Sequence, residues 1–179
     1  MNPRGIRPAQ AELQEPVVAP VLPLPAPQVV LMRPWPLAQL FADSFGQPPA
    51  FRLLRQELQP PAYGRWLMRV SSYQLGEVTL SWHLACLDLQ LLPLAAAKCL
   101  AAGGNLGGVM ARWGFRRQGL QVSFCRAASS LPGPLAPLAA EGFPGPFWLR
   151  SFRVVGEQGL GVVWEALPAG GNDGQCAKR

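Results

Sequence analysis

Histidine is nearly missing from this chain: His83 is the only one in 179 residues. Cysteine is sparse too, and Cys86, Cys99, Cys125 and Cys176 stand far apart with no Cys-x-x-Cys pair. These shortages argue against a structural zinc site, which needs clustered Cys and His ligands, and no metal is expected. The scattered thiols read as free cysteines of a reducing compartment, so the expected location is cytoplasmic. Long unbroken apolar runs are also lacking. The apolar stretch 16–32 is cut by Pro16, Pro20, Pro23, Pro25 and Pro27, which suits neither a membrane span nor a secretory leader. It reads as a polyproline-like arm. Internal repeats are absent. Charged residues are few, 15% of the chain, and acidic ones are the rarer sign, 10 against 16 Lys and Arg. The resulting net charge of +6 favours an anionic partner: nucleic acid, a membrane surface or an acidic small molecule.

Apolar residues make up 49% of the chain and the mean hydropathy is +0.13, the composition of a globular body. The length fits one domain with a real core. Residues 1–30 read as a flexible Pro/Ala-rich lead, 31–169 as the single domain and 170–179 as a disordered tail. A short helix is expected around Leu37 to Phe41, ending near Phe45-Gly46, with a turn at Pro48-Pro49. The pattern over 51–59 fits helix and strand equally. From Arg65 the reading is mostly β. Trp66, Met68, Val70 and Ser72 share one face of a strand, and Arg65, Leu67, Arg69 and Ser71 the other. After a turn at Gly76, Val78, Leu80, Trp82 and Leu84 alternate with Glu77, Thr79, Ser81 and His83, the pattern of a half-buried strand in an antiparallel hairpin. Residues 91–102 read as a helix stopped by Gly103-Gly104, and Asn105-Leu106-Gly107-Gly108 as a turn. A strand returns over 120–125 with Val122 and Phe124 inward. Residues 127–146 form a long connection with the character of a lid. A hairpin, 148–155 and 160–167, finishes the domain. The expected fold class is α+β: an antiparallel sheet of about six strands with flanking helices on one face or end.

One carboxylate interrupts that last apolar strand. Glu165 stands in Leu160-Gly161-Val162-Val163-Trp164-Glu165-Ala166-Leu167-Pro168. A carboxylate there must be paired, hydrogen-bonded or protonated, because burying it bare costs several kcal/mol or more, roughly. Such perturbed groups collect at active sites. The plainer alternative is an ion pair with one of the arginines, or an edge strand.

Other motifs carry less. The glycines of 103–108 lack the Lys and hydroxyl ending of a phosphate loop and serve better as a helix-stop turn. Arg112-Trp113-Gly114-Phe115-Arg116-Arg117 interleaves cations and aromatics as single-strand binders do, but no recognisable nucleic-acid module surrounds it, which argues against that partner. His83 has no serine or cysteine nucleophile in a recognisable motif, so a hydrolase triad is unsupported.

Several segments, taken in order, resemble the chorismate lyase (chorismate pyruvate-lyase) family. They are Arg65-Trp66-Leu67-Met68-Arg69-Val70, the strand 80–84, the turn Asn105-Leu106-Gly107, and the ending Trp148-Leu149-Arg150-Ser151 with Glu165-Ala166-Leu167-Pro168. Ala42-Asp43-Ser44-Phe45 resembles the family's Asp-Ser step after its first helix. The resemblance spans about 37–168 and rests on the order and spacing of short motifs. It implies a six-stranded antiparallel sheet with helical flaps over a buried cavity, and an enzyme that uses no cofactor or metal. The implied reaction is elimination of pyruvate from chorismate to give 4-hydroxybenzoate, the head-group precursor of ubiquinone or plastoquinone. The implied partner is a small anionic substrate, and the expected state is a monomer. Glu165 aligns with the family's active-site glutamate. Leu106 and Phe45 align with residues whose backbone N–H groups contact the ligand.

The family also places an arginine on the strand after its Trp-Leu pair, where it grips a ligand carboxylate. Counting without gaps, Met68 holds that position and Arg69 is its neighbour, expected to point out of the cavity. Three resolutions stand open. A bulge re-aims Arg69 inward; the guanidinium comes from Arg150 or Arg153; or the chain no longer catalyses the reaction, since methionine cannot replace a bidentate arginine. The corresponding functions are a lyase with Glu165 as general acid and Arg69 as carboxylate clamp, or a non-catalytic binding domain for an aromatic acid on the same fold.

Overall fold

The computed structural model describes residues 31–58, 65–126, 135–140 and 146–169. The expectations for the 1–30 lead, the 170–179 tail and most of the 127–146 connection lie outside the described residues. Six strands form one antiparallel sheet: β1 (Ala50–Leu58), β2 (Trp66–Leu75), β3 (Val78–Asp88), β4 (Arg116–Cys125), β5 (Phe147–Val155) and β6 (Gly159–Pro168). Their order is β1-β2-β3-β6-β5-β4. Two three-stranded meanders thus lie side by side and join where β3 pairs with β6. The α+β class and the six-stranded antiparallel sheet agree with the reading of the sequence.

The helices are α1 (Leu37–Phe45), α2 (Leu94–Ala101), α3 (Leu106–Trp113) and the single turn α4 (Ala136–Ala139). Helices α1 to α3 cover the sheet face that carries Leu67, Ala85, Phe152 and Val163. There Ala96, Leu100, Val109 and Met110 pack into one cluster with those strand residues, and Leu37, Leu40 and Phe41 into another with Leu80 and Leu167. Each fully buried side chain of this size contributes about 1.5–3 kcal/mol. The opposite face is covered as well. Leu135 and Leu138, flanking and within α4, pack on Val70, Leu84 and Ala166. Packing on both faces, rather than on one, buries the inner strands β2, β3, β6 and β5, while the edge strands β1 and β4 carry no buried residue.

That layering corrects several expectations. Strand β3 is not half-buried: Leu84 and its neighbour Ala85, on opposite faces, are both buried. Residues 51–58, ambiguous in pattern, are strand because they pair with β2 along its length. The expected 91–102 helix begins later, at Leu94, because Pro93 fixes its entry and a 3-10 turn (Leu89–Leu91) precedes it. The expected turn at 105–108 is the start of α3. Asn105 caps that helix by accepting from the Gly107 N–H at 2.7 Å. Strand β4 starts at Arg116 rather than 120, with a register shift against β5 between Gln118 and Gln121. Its Phe124 is exposed, not inward.

One glycine makes the central pairing possible. A Cβ on Gly161 would lie 2.1 Å from the Cys86 carbonyl oxygen and 2.9 Å from the Leu87 Cα. Only glycine lets β6 approach β3 at that point.

Candidate functional site

A row of polar side chains crosses the sheet in register under the helices. Ser71 on β2 pairs with His83 on β3, His83 with Glu165 on β6, and Glu165 with Arg150 on β5. Directly paired residues project to the same face, so all four gather beneath α1 and α3. All four are buried. The next row towards the α2–α3 end runs Arg69, Ala85, Val163 and Phe152. Both rows border an internal cavity of about 40 Å³, whose walls include Arg69, Ser71, Tyr73, His83, Arg117 and Glu165. Pro36 and Leu37 at the start of α1, and Asn105, Leu106 and Gly107 at the start of α3, close it.

Arg69 points into this cavity, and the expectation that it faces outward is corrected. Strand β2 pairs with β3 without irregularity from Trp66 to Tyr73, so no bulge re-aims it. The cavity simply lies on the odd-numbered face of β2. Ungapped counting could not reveal this, because both faces of the strand are buried and alternation alone does not say which one holds the helices. Arg69 is 2% exposed. Its Nη1 donates to the Gly104 carbonyl at 2.8 Å and its guanidinium lies 5.7 Å from the Phe51 ring centroid. Met68, which holds the expected arginine position by ungapped counting and would there face a ligand, projects to the other face and packs in the Val70, Leu84 and Leu138 cluster. It is not placed to touch a ligand in this cavity.

Glu165 sits beside Arg150, with Nε and Oε2 3.1 Å apart and side-chain exposures of 0% and 8%. The two atoms are close but misaligned, and neither has a hydrogen-bond partner. Burial pushes the Glu165 carboxyl above its ordinary value, against the opposing pull of Arg150 and Arg117. Arg150 lies just behind the cavity wall. Its Nη2 donates to the Trp35 carbonyl at 2.8 Å, while Nη1 has no partner. Burial lowers the Arg69 and Arg150 values, but a guanidinium stays charged in proteins. Arg153 is exposed, on the other face of β5, which removes it as a carboxylate clamp.

The sequence reading missed Arg117. It belongs to the Arg112 to Arg117 run, yet its side chain turns inward, 5.2 Å from the Phe152 ring centroid, and lines the cavity with an unpartnered, buried Nε. Arg112 and Arg116 are exposed, so the run is divided between solvent and interior. The alternation of β4 was available as a signal, but the register shift at 118–121 hid which residues face in. Arg117 also borders an open groove of about 480 Å³ by the β5–β6 turn. Arg117 is the one residue of that groove with a buried, unpartnered polar side-chain atom.

His83 is held between two hydroxyls. Its Nε2 is 2.8 Å from Ser81 Oγ and its Nδ1 3.4 Å from Ser71 Oγ. Burial, with Arg150 and Arg69 nearby, lowers its pKa to about 3, so the ring is neutral near pH 7. Asn105 Nδ2 reaches Tyr73 Oη at 3.4 Å and ties the α3 start to β2. Leu106 lines the cavity at this helix start, where N–H groups and the helix dipole favour negative charge. Phe45 does not line it: it stacks on Phe41, ring centroids 6.2 Å apart, at the far end of α1.

Two guanidinium groups, Arg150 and Arg117, thus act on one carboxyl whose proton affinity burial raises, and a third, Arg69, lines the same cavity. Among the described residues no group of three or more His, Cys, Asp or Glu could hold a metal ion, and no helix is long and apolar enough to cross a membrane. No protein-family model and no curated protein matches the chain.

Proposed function

We propose that the chain is a chorismate lyase-like enzyme that eliminates pyruvate from chorismate and leaves 4-hydroxybenzoate. One observation carries the reading: Glu165, with its proton affinity raised by burial, borders the same cavity as Arg69 and the Leu106 turn. Chorismate is a dianion. The guanidinium of Arg69 and the α3 start offer one end of the cavity to a carboxylate. Glu165 acts as general acid on the ether oxygen as the ring C–O bond breaks. The proton is balanced when the neighbouring ring carbon loses its hydrogen and the ring aromatises. Enolpyruvate then leaves as pyruvate, with no cofactor in the step.

At about 40 Å³ the cavity is well below the few hundred Å³ typical of small-molecule sites. Binding therefore requires Pro36 and Leu37 to move outward with the start of α1. The Trp35 carbonyl occupies a donor of Arg150, and a ligand carboxylate can take its place once that segment withdraws.

The decisive experiment incubates purified chain with chorismate and follows pyruvate and 4-hydroxybenzoate. Both are expected, and both are lost in Glu165→Gln. Release of neither product from the unmodified chain would overturn the reading. The Arg150–Glu165 approach favours a second one, because an arginine neighbour supports the ionised carboxylate rather than the acid. In it the cavity holds an aromatic acid without turnover. Thermal stabilisation by 4-hydroxybenzoate with no pyruvate released would identify that binding role.

A further inference from the structure

The cavity walls carry two chemically distinct sets of groups. Arg69, Arg117 and the start of α3 supply positive charge, which suits carboxylates. Ser71, Tyr73 and His83 are uncharged, and nothing in the proposed reaction uses them. His83 is the most constrained of these. Its Nε2 is anchored on Ser81 Oγ at an ordinary hydrogen-bond length, and the Tyr73 ring stands edge-on with centroids 4.7 Å apart. The 3.4 Å between Nδ1 and Ser71 Oγ is longer than a good hydrogen bond. Nδ1 and the Ser71 hydroxyl thus keep capacity for another partner on the cavity side.

A neutral imidazole offers one donor and one acceptor nitrogen. A carboxylate, which only accepts, suits Nδ1 in one tautomer alone. A hydroxyl suits either tautomer because it both donates and accepts. Nδ1 faces Ser71 on β2, so a hydroxyl held there lies on the β2 side of His83, in the cavity that Glu165 also lines.

We propose that His83, assisted by Ser71, is a specificity-determining residue that recognises a hydroxyl on the ring of the bound acid in the cavity that Glu165 lines. The proposal rests on the aromatic-acid reading of the cavity and names the feature by which such an acid is selected. A bare aromatic carboxylate would leave Nδ1 without a partner and bind more weakly.

Calorimetric titration of the full chain with 4-hydroxybenzoate, benzoate and 4-fluorobenzoate tests this, with chorismate turnover measured on the same protein. The unmodified chain is expected to bind 4-hydroxybenzoate about tenfold more tightly than the other two, the worth of one net hydrogen bond. His83→Phe keeps a ring against Tyr73 and is expected to equalise the three by weakening 4-hydroxybenzoate alone. His83→Asn, which keeps a polar atom near the Nδ1 position, is expected to restore part of the difference. Equal affinities in the unmodified chain overturn the proposal whatever the variants do, and so does an unchanged ratio in a folded His83→Phe protein. If turnover is seen while the affinities are equal, the lyase reading stands and the role of His83 fails. If the chain binds none of the three acids, the role of His83 fails, and the lyase reading fails with it only if chorismate also yields no pyruvate.

Discussion

Glu165 and His83 are paired neighbours whose titrations run in opposite senses. The folded-state value of Glu165 is raised above 4.5, so the folded chain holds this proton more tightly than the unfolded one. Its contribution is fully present below pH 4.5 and is lost as pH rises through the folded value. Glu165→Gln removes the titration, and its unfolding free energy is expected to fall less than wild type as pH rises from 4.5, measured by urea denaturation. If the proposed lyase reading holds, chorismate turnover in this variant drops by about 100-fold or more, the usual worth of a general acid. The folded-state value of His83 is depressed, from 6.5 to about 3. Its contribution is present above pH 6.5 and is lost as pH falls towards 3, at most about 1.4 kcal/mol per pH unit. Between pH 6.5 and 4, His83→Phe is therefore expected to lose less stability than wild type on acidification. Parallel pH profiles for the two proteins would contradict the buried neutral ring.

At the scale of elements, the turn between α2 and α3 couples packing to the site. The Gly104 carbonyl accepts from Arg69, and a Cβ on Gly104 would lie 2.6 Å from Cys99 Sγ and 2.7 Å from the Cys99 carbonyl. Gly104→Ala must push the turn away from α2. It is expected to cost about 2 kcal/mol of stability and to weaken binding of 4-hydroxybenzoate by about tenfold, the loss of one well-aimed guanidinium contact. Unchanged affinity would show that the turn does not hold Arg69 in place. Asn105 was legible as a polar residue after two glycines. Its capping of α3 was not, because Gly107 and Gly108 inside a helix contradict local propensity. Packing of Val109 and Met110 into the core overrides that preference. The hairpins β2–β3 and β5–β6 were legible from alternation and turn residues, since both are local pairings. The junction of β3 with β6 joins residues some 80 positions apart in sequence, and no local pattern marks it.

For the whole molecule, anion binding is a stabilising event under the proposed function, since Arg69 and Arg117 line the cavity and Arg150 is buried beside Glu165. A ligand at 100 times its dissociation constant adds about 2.7 kcal/mol, which in a chain of this size raises Tm by about 5–10 °C. 4-Hydroxybenzoate is expected to produce that rise in wild type and Arg69→Met to abolish it, read by differential scanning fluorimetry. An equal rise in the variant would remove Arg69 from the site. The fold class, five of the six strands and the anomaly of Glu165 were determined by the sequence alone, because hydrophobic period and turn chemistry are local; β1 was left undecided until its pairing with β2 was seen. Which face of β2 holds the cavity was decided only by tertiary structure. With both faces of β2 buried, alternation sorts its side chains into two sets but does not choose between them. The helices make that choice, bringing Arg69 in, sending Met68 out, and turning Arg117 from a surface cation into part of the site.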